Sequence, residues 1–243
     1  MKNDRFQNSW AEANRAISYS NLEFPNTYHI AYRDLPLIIA THINGSKAID
    51  FGCGTGRSTR FLKKMGFDVT GIDISENMIE FAKLSDPEGC YQLVENARYE
   101  HLGKGIYDLV QSIFTFDNIP GWNTRRKILE SLKGLLKPTG KIICLDSSHK
   151  LYSNEWASFT TKDFPENISA VTGDIVRVIM LDVEEKTPVE DIFWTEEDYG
   201  VLFVRAGLKI EAIYKPLGYA NEPFEWISEK ELAPWVIFVL SRK

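Results

Sequence analysis

Apolar residues return along this chain at two different spacings. From Lys47 onward, short runs of consecutive apolar positions alternate with stretches in which apolar residues recur every three or four places, which predicts strands alternating with helices. Residues 47–51 read as a buried strand, followed by the turn Gly52-Cys53-Gly54-Thr55-Gly56 and a helix with Phe61, Leu62 and Met65 on its apolar face. Residues 68–73 read as a second strand, Ser75 as a helix cap and 76–84 as the helix behind it. Residues 91–94, 107–113 and 141–145 read as the third, fourth and fifth strands, the last entered through the turn Pro138-Thr139-Gly140. Ile128, Leu132, Leu135 and Leu136 mark a helix between the fourth and fifth.

The pattern changes at both ends of this core. Ahead of it, Phe6, Trp10, Ala13 and Ile17 fall at helical spacing, and a second helix is expected over 34–42 with Pro36 in its first turn. Behind it, residues 147–194 break the alternation with an aromatic and acidic stretch, inside which 175–183 reads as a strand able to pair with 189–194. Thr195 then caps a helix ending at Gly207, and 209–214 and 235–241 read as the final strands. Such alternation predicts an α/β fold: a mainly parallel, doubly wound sheet with helices on both faces, whose ligands bind beyond the carboxyl ends of the strands. The expected organisation is one domain over 1–243. It comprises a helical lead or lid (1–44), a core (45–147), a substrate-side insertion (148–194) and a C-terminal helix with strands (195–243).

Composition narrows the possible partners. A chain of 243 residues, 44% of them hydrophobic, can bury one substantial core, whereas its net charge of −6 argues against a broad phosphate-binding surface and hence against a nucleic-acid partner. The apolar run 235–240 is far too short to span a bilayer, and the first residues lack the continuous apolar core of a secretory signal. Cys53, Cys90 and Cys144 are widely separated and show neither paired nor zinc-ligand spacing. A cytoplasmic protein with no metal and no membrane partner is expected.

The chemistry is carried by the turn at 52–56. Glycines there let the backbone leave a strand sharply and let a ligand approach without Cβ atoms in the way, while the following helix offers its N-terminal amides to an anion. Asp73, 21 positions after Gly52 and at the end of the second strand, stands where a carboxylate accepts both hydroxyls of a ribose. Together they specify a nucleoside-bearing cofactor. Dinucleotide enzymes share this topology with the spacing G-x-G-x-x-G, but here Arg57 takes the place of the third glycine. Asp50, at the end of the first strand, would repel a pyrophosphate and suit the amino group of an amino-acid-like ligand.

The run Ala48-Ile49-Asp50-Phe51-Gly52-Cys53-Gly54-Thr55-Gly56 resembles the first motif of class I S-adenosylmethionine-dependent methyltransferases, and Gly71-Ile72-Asp73-Ile74-Ser75 resembles their second. Tyr107-Asp108-Leu109-Val110 with Ile119-Pro120, and the stretch from Leu135 to Lys141, are similar to their fourth- and fifth-strand regions, so the resemblance covers about residues 45–147. It implies a Rossmann-like, seven-stranded sheet with an antiparallel last strand, S-adenosylmethionine as methyl donor, S-adenosylhomocysteine as product and a small-molecule acceptor. Carried over, it implies that Asp50, Gly52 and Gly54 hold the methionine end and Asp73 the ribose, with Cys53 and Gly56 also among the cofactor-binding residues. Ile74 would then pack on the adenine, Asn96, in the stretch Glu95-Asn96-Ala97, would bond its amino group, and Ala97 and Ser112 are further cofactor-binding candidates.

Further candidates rest on position. Arg33 can meet the cofactor carboxylate with its fork or form a surface ion pair with Asp34. Tyr19, Tyr28 and His29 are lid candidates, since aromatic faces attract a sulfonium, against plain packing. Phe114, Phe116 and Trp122 after the fourth strand, and Trp156 in the insertion, line a pocket or fill the core. His149, at the carboxyl end of the fifth strand, is the candidate base. Glu184, Glu185, Glu190 and Asp191 read as a patch attracting an amine or as a solvated charged face. Competing functions are methylation of a quinone or lipid-like acceptor, a non-catalytic adenosylmethionine-binding regulator, and a nicotinamide-dependent oxidoreductase.

Overall fold

Strand β4 (Tyr107–Ile113) is buried at every position and β1 (Lys47–Phe51) at all but its first, the signature of strands covered on both faces. The structure, a computed structural model, describes Phe6 and residues 24–243. The core strands β2 (Asp68–Asp73), β3 (Cys90–Leu93), β5 (Leu136–Ser147), β9 (Leu208–Tyr214) and β10 (Trp235–Arg242) join β1 and β4 in one seven-stranded sheet of order β3-β2-β1-β4-β5-β10-β9. β1 to β5 pair in parallel; β10 runs antiparallel between β5 and β9. The last strand is thus antiparallel, as the resemblance implied, and it is inserted between two others. The strand order turns back between β1 and β4, which opens a crevice at their carboxyl ends.

Alternate residues of the same strands feed two cores. Ile143, Leu145, Ile237 and Val239 face one layer; Ile142, Cys144, Val236 and Phe238 face the other, where α5 (Trp122–Leu135) buries Ile128, Leu129 and Leu132 and α6 (Glu196–Arg205) buries Leu202 and Phe203. The predicted caps are present: the Ser75 side chain accepts from the Met78 amide at the start of α4 (Glu76–Ser85), and Thr195 from the Asp198 amide at the start of α6. One boundary differs. The turn expected before the fifth strand lies inside β5, because Leu136 is fully buried and already pairs with Tyr107, after which the register shifts so that Leu109 meets Lys141. Pro138-Thr139-Gly140 is the extra length taken up as a bulge.

The insertion builds a second sheet. β6 (Phe159–Thr160), β7 (Ile175–Met180) and β8 (Val189–Ile192) pair antiparallel, β7 with β8 as the sequence predicted, and Val176, Val178 and Met180 join the same core layer as Leu145, Trp235 and Ile237. Helices α1 (Thr27–Arg33) and α2 (Leu35–His42) complete that layer through Ile30, Tyr32, Leu35 and Ile39. Glu229, fully buried, accepts hydrogen bonds from Thr27 Oγ1 (2.6 Å) and the Ala157 amide (2.7 Å) through one oxygen and from the Ile227 amide (2.8 Å) through the other. One carboxylate thereby ties together α1, the insertion and the loop before β10. Of the expected lead helix, Trp10, Ala13 and Ile17 lie outside the described residues.

Candidate functional site

The turn between β1 and α3 (Arg57–Lys64) is built against β2. The amides of Gly52 and Cys53 both donate to Ile72 O, and the Gly54 amide donates to Asp73 Oδ2 at 2.9 Å while the Ser75 amide donates to Oδ1 at 2.9 Å. Gly52 has φ +69°, and a Cβ there would collide with the side chain of Thr115. Gly56 has φ +84° at the start of α3, and a Cβ would stand 2.7 Å from the Tyr91 hydroxyl. Asp50 holds this turn from behind. Its Oδ2 accepts from the hydroxyls of Ser58 and Thr59, each at 2.6 Å, and burial pushes its pKa up to about 6 against those hydrogen bonds. Burial likewise raises the pKa of Asp73, against the backbone amides that bind its charged form.

In front of the turn lies a cavity of about 540 Å³, within the usual range for a small-molecule site. Gly52, Gly54, Asp73, Ile74 and Asn96 all line it, so the sequence-predicted centre converges. Its remaining wall comes from Phe6, Ser75, Met78 and the segment after β4, including Phe114, Thr115, Asn118 and Ile119. Phe114 carries φ +57°, strained for a bulky residue, and is held by its amide to Leu145 O at 2.7 Å and by Trp235, ring centroids 4.6 Å apart. Of this wall, Phe6, Ser75, Phe114 and Ile119 were named from the sequence, but only Phe114 among them as a pocket candidate. Met78, Thr115 and Asn118 carry no distinguishing pattern, and only their place beyond the carboxyl ends of β2 and β4 could have marked them.

Other candidates sit elsewhere. Asp50, expected at a ligand amino group, is fully buried, lines neither this cavity nor the smaller chamber beside it and supports the turn through Ser58 and Thr59. Cys53 is buried with Ile79, Ala82 and Tyr91, Ala97 (φ +57°) packs against the α5-side core, and Ser112 is buried beside Phe51 in β4. Arg33 pairs with Asp34 at 2.8 Å and Glu222 at 2.7 Å and stacks on Tyr219, which takes its fork away from the crevice. His29 contacts Glu222 at 3.2 Å. Phe116 and Trp156 are fully buried core residues, Phe116 against Phe51 and Trp156 with its indole donating to Leu151 O. Trp122 packs on Trp194. His149 lines neither cavity; its Nδ1 stands 4.0 Å from Glu196, and burial lowers its pKa. Tyr19 lies outside the described residues.

A second, smaller chamber of about 40 Å³ shares Phe114 and Asn118 with the first. Tyr28, Phe159, Trp235 and Met180 form its apolar side; Asp117, Ser147 and Asp191 its polar side. Asp117 Oδ2 accepts from the Ser147 amide and hydroxyl, and Asp191 accepts from the Tyr152 hydroxyl at 3.1 Å. Asp191 belongs to a buried site, unlike the exposed Glu184 seven residues earlier. Burial raises the pKa of Asp117, Asp191 and neighbouring Asp146, and their mutual repulsion adds to this for Asp191 and Asp146.

Residues 49–144 match the profile of the methyltransferase-domain family. The chain is 28% identical over 153 residues to a demethylmenaquinone methyltransferase of Bacillus velezensis, a match covering 60% of this chain and 61% of that protein. It is 32% identical over 114 residues to the protein of the same name from Lactococcus lactis, covering 44% of each. Among solved structures, the CcbJ methyltransferase from Streptomyces caelestis aligns with TM-score 0.62 at 15% identity, over 88% of this chain and 96% of that one. An S-adenosylmethionine-dependent methyltransferase from Clostridium acetobutylicum aligns with TM-score 0.62 at 13% identity, over 92% and 94%. At such identities the structures speak for the fold. The match to the first curated relative spans about three-fifths of that relative's length.

Proposed function

We propose, from the premise that residues 49–144 form a methyltransferase domain of the class I S-adenosylmethionine-dependent family, that this chain methylates a small, partly apolar acceptor through a nitrogen or oxygen nucleophile. The observation that carries the reading is the position of Asp73: its carboxylate lines the 540 Å³ cavity while the Gly54 and Ser75 amides hold both its oxygens in place. A carboxylate so fixed is ready to accept ribose hydroxyls, and the bare backbone at Gly52 and Gly54 leaves room beside it. The residues present therefore fit the cofactor.

When bound, S-adenosylmethionine supplies a methyl group already activated by its sulfonium. Asp73 would hold the ribose, Ile74 and Met78 would pack on the adenine, and Asn96 would meet its edge, all from the cavity wall. Asp50 keeps the turn rigid through Ser58 and Thr59. Residues 148–194 roof the acceptor side, where the Phe114 ring belongs to both chambers and fixes how an acceptor enters. Alignment in a dry pocket is the protein's main contribution to such a displacement. We take 1–243 as one domain working in the cytoplasm.

A second reading, a quinone or lipid-like acceptor, is favoured by the names of the curated relatives and by the aromatic side of the smaller chamber.

The deciding experiment is calorimetric titration with S-adenosylmethionine, S-adenosylhomocysteine and NAD, on the natural protein and on Asp73→Ala. Both adenosyl compounds should bind and weaken by about 1–3 kcal/mol in the variant, the loss of hydrogen bonds to a charged group. Binding of NAD alone would sink the reading, and adenosyl binding without turnover on any acceptor would favour a regulator.

A further inference from the structure

The smaller chamber has a chemical character of its own. Four rings surround it: Trp235 lies with its centroid 4.6 Å from Phe114, 5.7 Å from Phe159 and 5.9 Å from Tyr28, and Tyr28 lies 5.2 Å from Phe159. Facing these rings are two carboxylates at least nine-tenths buried, Asp117 (5% exposed) and Asp191 (7% exposed). Asp117 is bonded to Ser147 and Asp191 to Tyr152, in each case through Oδ2, which leaves Oδ1 of each without a hydrogen-bond partner among the described residues. Among the described residues no Lys, Arg or His lines the chamber, and the Arg57 guanidinium stands outside it, 5.2 Å from the centroid of the Tyr28 ring. The positive group acting on these acids is Arg125, fully buried, bonded to Ile119 O and the Tyr199 hydroxyl and stacked on Trp194, and it also faces Asp146. Among the described residues, three acids thus face one guanidinium, which leaves the cluster short of positive charge.

We propose that this chamber is the acceptor's head-group subsite and that it takes a protonated amine, held by the Asp117 and Asp191 carboxylates and by the faces of Phe159 and Trp235. Aromatic faces and desolvated carboxylates both favour a cation over a neutral group of the same shape. A volume of about 40 Å³ suits a small head group and not a whole acceptor, whose body would extend out of the chamber. The three acids do not converge as a metal-ligand group; no cluster of that kind occurs among the described residues. An ammonium must shed a proton before its nitrogen becomes nucleophilic. That proton passes from nitrogen to a carboxylate oxygen of Asp117 or Asp191, leaving a neutral amine and a carboxylic acid. The inference rests on the methyltransferase reading and narrows its acceptor from any nitrogen or oxygen nucleophile to an amine, against the quinone alternative.

The test uses the full-length protein and two probes of one shape, benzylamine and benzyl alcohol, titrated by ligand-observed NMR in the presence and absence of saturating S-adenosylhomocysteine. Benzylamine should bind about tenfold more tightly than the alcohol, and the ratio should fall below about threefold in Asp117→Asn and Asp191→Asn. Equal binding of the two probes to the natural protein overturns the proposal, and that comparison needs no variant to fold. So does a preference that survives both substitutions. The S-adenosylhomocysteine titration judges the cofactor reading separately: its binding with no amine preference removes the subsite alone, whereas amine preference without its binding removes the methyltransferase reading.

Discussion

Asp50 and Asp73 show how two acids of similar sequence context part company once the chain is folded. Both end a parallel strand beside the glycine turn, and both were assigned to the ligand. Asp73 faces the cavity, whereas Asp50 is turned inward and accepts the hydroxyls of Ser58 and Thr59. The alternation of side chains along a strand and the first turn of α3 decide this difference, and neither is visible in the spacing of the acids. Gly52 is the opposite case, where sequence spacing led straight to a physical need: φ is +69° and the Thr115 side chain fills the space a Cβ would occupy. Gly52→Ala should therefore cost about 2 kcal/mol or more of stability, from left-handed strain plus the clash, and abolish adenosyl binding. Chemical denaturation and titration with S-adenosylhomocysteine measure the two effects. Adding Thr115→Ala should recover only part of the loss, since the Thr115 Cβ itself would lie 2.8 Å from the new atom. Full tolerance of Gly52→Ala would show that the turn does not need this backbone.

Elements were readable where one local signal dominates. Ser75 and Thr195 cap their helices as their positions predict, and β7 and β8 pair as their apolar runs predict. The fifth strand was misplaced at its start because Pro138 and Gly140 signal a turn locally, while burial of Leu136 against the sheet extends the strand through them. Tertiary packing wins over turn chemistry there. Likewise, nothing in the sequence marks Glu229, whose importance depends on segments 72 and 202 residues away. Glu229→Ala would remove the acceptor of the buried Thr27 hydroxyl proton and of the part-buried Ala157 and Ile227 amides, a loss of about 1–3 kcal/mol. Trp235 Nε1 donates to Thr27 O, so the same change loosens the wall of the smaller chamber. Limited proteolysis should then cut first between 24 and 42 or within 215–234, while the 47–73 turn stays protected. Unchanged proteolysis and stability would show that the apolar contacts of α1 suffice to dock it.

At the scale of the molecule, the net charge of −6 conceals an uneven placement of acids, several of which are buried. Asp50 has a folded pKa of about 6 against an ordinary value of 3.8. Between those values the folded state keeps a proton that the unfolded chain has released, so stability falls as pH rises through that window and the full cost stands above it. At about 1.4 kcal/mol per unit, Asp50 alone accounts for about 3 kcal/mol. Asp73, Asp117, Asp146 and Asp191 shift in the same direction, and the last two rise further, which carries the decline toward neutral pH. Asp108, Glu155 and Glu222 oppose this with lowered pKa values, but the stability they add is already complete above their unfolded pKa near 4 and is lost only as pH falls below it; His149, whose pKa burial lowers, opposes it as pH rises toward its ordinary 6.5. The ligand-free protein should therefore lose stability as pH rises through the Asp50 window, from about pH 4 to 6, as read by denaturant midpoints, and Asp50→Asn should remove that part of the slope. Stability rising steadily from pH 5 to 8 would mean that the buried carboxylates are ionised and compensated without any ligand. The shortage of positive charge around Asp117 and Asp191, on which the amine subsite depends, would then vanish with it.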